Sequence, residues 1–195
     1  MSTSSRITGW RLRGAFRVVA LDHSDTDRGI DAGMLYLQCL EVLGGYGQRP
    51  TCYDDMARDV PALRRLYCQT RRSVNAESCA TLDRVDADIA RLYAQKLVEQ
   101  ADAHANDAAL YRAGAEKYLA VFESYCGPAT TVIDRCDEIA FNAASAFIAA
   151  GDTAAATNVR ALMLDPKNNM TKSPLTKRLS CKLYPSPPCT GSSSP

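Results

Sequence analysis

Two stretches of this sequence count out the same interval. Tyr53 to Cys68 is fifteen residues, Tyr111 to Cys126 is fifteen again, and each stretch ends in a Tyr-Cys pair, Tyr67-Cys68 and Tyr125-Cys126. The next cysteine follows after eleven residues in the first case (Cys79) and ten in the second (Cys136). Corresponding residues therefore lie 58 and then 57 positions apart. Such a period marks a repeated supersecondary unit, here a helical hairpin that buries its apolar face against its neighbours.

The spacing also suggests work for the cysteines. Cys68 ends one predicted helix and Cys79 opens the next, and Cys126 and Cys136 repeat the arrangement. A bridge within each pair would staple a hairpin turn, with a stabilisation of about 2–3 kcal/mol. Buried thiols and a zinc site are the competing states. Zinc favours Cys-x-x-Cys or His-x-x-x-His spacing; neither occurs, and His23 and His104 are the only histidines.

Apolar residues at steps of three and four predict helices along most of the chain. Met34, Leu35, Leu37, Leu40 and Leu43 mark a helix over 31–43, stopped by Gly44-Gly45. A second covers 53–68, where Pro61 is expected to kink or split it. Leu82, Val85, Ile89, Leu92 and Leu97 define a third over 80–104, and Asn106 is the predicted N-cap of a fourth over 107–125. The next runs over 133–150 to Gly151; Asp152 then caps a helix ending at Leu164. Ser173 before Pro174 reads as a cap with proline in the first turn. Strand-like alternation is absent apart from a possible short extended piece at 16–21. The expectation is an all-α fold of antiparallel helical hairpins over residues 31–183. Residues 1–30 read as a poorly ordered segment, and 184–195, rich in Ser and Pro, as a disordered tail.

Composition narrows the function classes. The 195 residues carry 23 Lys plus Arg against 22 Asp plus Glu, a net charge of +1. A general nucleic-acid glove needs a surplus of positive charge to displace counterions. The basic pairs Arg64-Arg65 and Arg71-Arg72 have acids nearby in sequence and read as a solvated helix face. No run approaches the ~20 apolar residues of a membrane helix. The apolar run Val18-Val19-Ala20-Leu21 is too short for a secretory signal. Residues 22–31 carry Asp22, Asp25, Asp27 and Asp31, but an EF-hand register would put His23 first, Arg28 sixth and Met34 twelfth, where an acid, a glycine and a glutamate are required. No phosphate-binding glycine loop, Gly-x-Ser-x-Gly or His-Glu-x-x-His is present. Nothing points to catalysis, a metal or a cofactor.

Residues 140–169 read AFNAASAFIAAGDTAAATNVRALMLDPKNN. Phe141-Asn142, Ala144, Phe147, Gly151-Asp152, Ala154, Ala161-Leu162 and Asp165-Pro166 fall in the order of a tetratricopeptide repeat, which this segment resembles. Ala140 departs from the aromatic often found at the first position. More widely, Thr51-Cys52-Tyr53-Asp54-Asp55-Met56, Leu66-Tyr67-Cys68, Cys136-Asp137-Glu138 and Asp165 to Met170 resemble the extended tetratricopeptide proteins of myxobacterial cell envelopes. The resemblance implies a short stacked solenoid, with Gly151 at a left-handed turn and Phe147 between the helices. It also implies a non-catalytic scaffold for a protein or peptide partner, whose groove-facing positions match Glu138, Phe141, Ser145, Ile148 and Ala149. Together with the cysteine pairs it points to a cell envelope or periplasm; the missing signal leaves a cytoplasmic home open. The alternatives are a truncated repeat protein without an activity of its own and an enzyme on a helical scaffold.

Overall fold

The computed structural model describes residues 14–45, 51–69, 76–127 and 134–185. Among these, every regular element is helical and no strand occurs. Helix α1 covers residues 14–22. It is followed by α2 (Asp27–Gly45), α3 (Thr51–Cys68), α4 (Ala76–Ala103), α5 (Ala108–Tyr125), α6 (Cys136–Ala149) and α7 (Thr153–Leu164), then a short 3-10 turn (Pro166–Asn168) and α8 (Pro174–Leu183). The chain forms two compact units, residues 1–89 and 90–195, with the boundary inside α4.

In the first unit, α1 corrects the sequence reading. Residues 16–21 are helical, not extended, and order begins well before residue 31. Distant contacts supply the reason. Ala20 is fully buried, and the Tyr67 hydroxyl on α3 lies 2.8 Å from the Ala20 carbonyl and 2.9 Å from that of Gly29, sharing its proton between them. Burial pushes the Tyr67 phenol up to about 12, so it stays a donor at any ordinary pH. Residues 1–13 and 186–195, where most of the expected disorder falls, lie outside the described residues.

Asp59 on α3 is the other fastener. Its carboxylate receives hydrogen bonds from Arg17 of α1, from its neighbour Arg58 and from the buried Tyr36 hydroxyl of α2 at 2.6 Å. Burial alone would raise its pKa; the bonds from Arg17, Arg58 and Tyr36 outweigh burial and hold it well below the usual carboxylate range. Further along α3, Arg64 forks to Asp83 and Asp86 on α4. Pro61 does not split α3, which runs unbroken from Thr51 to Cys68. An interior proline costs about 3 kcal/mol, and burial of Val60, Leu63 and Tyr67 around it opposes that loss.

In the second unit, α5, α6, α7 and α8 enclose one core with the end of α4. Ala140, Ala143 and Ala144 are fully buried on α6. Their small side chains let neighbouring helices approach closely, and Tyr118, Phe122, Ile139, Phe147, Val159, Met163 and Leu179 fill the space between. Asp107, not Asn106, caps α5: its Oδ1 accepts from the backbone amides of Ala109 and Leu110. Ala105 and Asn106 take left-handed backbone at the end of α4, which shifts the cap by one residue. Asp152 caps α7 and Ser173 caps α8 through their side chains, as expected. Gly151 has φ +77°, the left-handed turn between α6 and α7. The last helix turns Leu179 fully into the core, with Leu175 and Leu183 packed against it.

Candidate partner-binding face

Helix α6 positions the five residues matched to a groove. Glu138, Phe141, Ser145, Ile148 and Ala149 recur at three or four residues and share one side of the helix. The structure places them in graded exposure. Glu138 is partly exposed and paired with Arg135, Nε to Oε2 2.6 Å. Phe141 is buried, 9% exposed. Ser145 and Ile148 are half-buried, and Ala149 is exposed at the helix end.

The sequence reading did not include what stands over them. Helix α8 packs on α6 and α7 and brings two cations to Phe141. The Arg178 guanidinium lies 5.4 Å from the ring centroid and the Lys182 ammonium 5.2 Å. A cation at this distance is attracted by the ring's negative face. Lys182 Nζ also donates to Ser145 Oγ at 3.4 Å. Burial pushes the Lys182 pKa down, and the nearby Arg178 charge adds to the shift. Among the described residues no carboxylate pairs with either cation. One signal was legible beforehand: no acid occurs after Asp165, whereas Lys167, Lys172, Lys177, Arg178 and Lys182 all do.

Asp137, at the start of α6, accepts from the Ser173 hydroxyl at 2.5 Å. Ser173 is the N-cap of α8, so one side chain both starts that helix and ties it to α6. Arg160 on α7 adds a bond to Ser180, Nε to Oγ 2.7 Å. These ties fix α8, and with it Arg178 and Lys182, against the Phe141 face.

The four cysteines singled out by spacing pair as that spacing suggests. Cys68 bridges Cys79 with Cα atoms 5.7 Å apart, and Cys126 bridges Cys136 at 5.6 Å. Cys181 on α8 is also disulfide-bonded, a participation the spacing argument missed, while Cys39 is a free thiol. Cys189 lies outside the described residues. Among the described residues, no three or more His, Cys, Asp or Glu side chains converge as metal ligands, and no helix is long and apolar enough to cross a membrane. The exposed His104 ring is engaged locally, Nδ1 lying 2.8 Å from the Gln100 carbonyl oxygen.

Comparison with protein-family models, curated proteins and solved structures returned no match to this chain.

Proposed function

We propose that this chain is a non-catalytic helical scaffold, built on tetratricopeptide-like hairpins, that holds a protein or peptide partner on the α6 face in an oxidising compartment such as a bacterial cell envelope. The observation carrying the reading is the α6–α8 pairing. It sets Glu138, Phe141, Ser145, Ile148 and Ala149 on one side of a helix and flanks them with Arg178 and Lys182, two cations with no carboxylate partner among the described residues. A face of aromatic and guanidinium groups is the composition that interface centres favour. Bridged hairpin corners support the compartment, because disulfides persist where thiols are not kept reduced.

Site-specific crosslinking tests this reading. A photoreactive residue replacing Ala149, exposed at the end of α6, should trap a discrete protein partner in the source cell. The same residue replacing Ala161, exposed on α7, should not. Equal capture from both positions, or none from Ala149, would remove α6 as the binding face.

A further inference from the structure

Charge is segregated along this nearly neutral chain. Up to Asp165 there are 18 basic and 22 acidic residues; beyond it there are five basic and none acidic. Three of those five lie on α8, and two of the three, Arg178 and Lys182, share the Phe141 ring. Lys177 is exposed on the same helix but has no part in that contact. Like charges one turn apart repel each other, and Lys182 is in addition partly withdrawn from water. An arriving anion would relieve both costs at once.

The spacing of the two cations selects among anions. Residues four apart on a helix are separated by about 6 Å along its axis. Side chains on alternate residues of an extended strand point to the same side and lie about 6.6 Å apart. Resting on the reading that the α6 face holds a partner, we infer that Arg178 and Lys182 receive an extended acidic segment of that partner with carboxylates on alternate residues, laid over Phe141 and Ser145. The aromatic ring orients both cations before binding, so less side-chain freedom is lost when the carboxylates dock.

Calorimetric titration of the full chain tests the inference with short synthetic peptides. One carries glutamates on alternate residues; a control has the same glutamates in adjacent pairs. The alternating peptide should bind, weaken as salt is raised, and outcompete the control. Arg178→Gln with Lys182→Gln should lower its affinity about tenfold or more, as expected for losing two charged contacts, whereas Lys177→Gln should leave it unchanged. Wild type and Lys177→Gln should melt alike, whereas the double variant, which gives up the two Phe141 contacts and the Lys182–Ser145 bond, should melt somewhat lower and still be fully folded at the titration temperature. Failure of the wild-type chain to bind, or equal binding by the double variant, would overturn the inference. So would equal losses from Lys177→Gln, or tighter association with phosphatidylglycerol vesicles than with the peptide, because either would mean an undiscriminating basic surface. Crosslinking from Ala149 without peptide binding would overturn this inference and leave the scaffold reading standing. Peptide binding without crosslinking would support the acidic-segment site and overturn the scaffold reading.

Discussion

Arg17 grips Asp59 with two parallel hydrogen bonds, Nε to Oδ2 at 2.7 Å and Nη2 to Oδ1 at 3.0 Å, across 42 residues of sequence. The pair joins α1 to α3, and Tyr36 donates to the same carboxylate from α2. Asp59→Ala should destabilise the first unit by about 1–3 kcal/mol, chiefly by leaving the buried Tyr36 hydroxyl without its acceptor; the arginines reach solvent and contribute less. The sign with pH follows from the depressed carboxyl. A group whose pKa is lower folded than unfolded stabilises fully above its unfolded value, about 3.9, and loses that contribution as pH falls toward the folded value. Denaturant melts of wild type should weaken below about pH 4, and Asp59→Asn should flatten that dependence. An unchanged acid limb in the variant would show that the carboxylate is not the group responsible.

Gly151 offers a cleaner test, because an added Cβ there meets no heavy atom within 4 Å. The cost of Gly151→Val is therefore chiefly conformational, from holding a β-branched residue at φ +77°, and should be about 1–3 kcal/mol. Ala150→Val, one residue earlier in ordinary helical backbone, should shift the melting temperature less. Equal shifts would mean that the turn tolerates a left-handed valine.

Phe147 is 5% exposed and belongs to the core of the second unit. Phe147→Ala should cost about 3–5 kcal/mol, the usual loss for a buried aromatic ring that leaves a cavity. Equilibrium unfolding in urea will measure it, and a loss below about 1 kcal/mol, the size of a surface change, would contradict the packing.

Peptide mapping without reduction should recover Cys68–Cys79 and Cys126–Cys136 as linked peptides, and Cys181 in a linked peptide as well. Cys39 should take up an alkylating reagent after denaturation without reductant. Reduction should destabilise the fold by about 2–3 kcal/mol for each short loop released. Recovery of all these cysteines as alkylated thiols would contradict both the bridges and the oxidising compartment.

The hairpin corners were legible because cysteine spacing and helical period are local properties. Asp152, Ser173 and Gly151 were legible for the same reason: caps and left-handed turns are written within three or four residues. Helix α1 was not, since Arg17 and Tyr67 order it through partners on other helices. The cap of α5 was misplaced by one residue because Ala105 and Asn106 take consecutive left-handed conformations, which propensity does not anticipate. Of the candidate site, the α6 positions were readable from a pattern, but Arg178 and Lys182 were not. Their charge is visible in sequence; their seat over Phe141 depends on how α8 folds back.

The two bridged corners also change what a cut chain is. Cys68–Cys79 and Cys126–Cys136 enclose the segments joining α3 to α4 and α5 to α6. A peptide bond hydrolysed inside either segment opens a covalent ring without parting the pieces. Such a nicked molecule stays in one covalent piece, heavier by the one water that hydrolysis adds, until a reductant arrives, and its helices remain tethered at their original corner. In a protease-rich surrounding, scission there leaves a repairable geometry rather than two fragments.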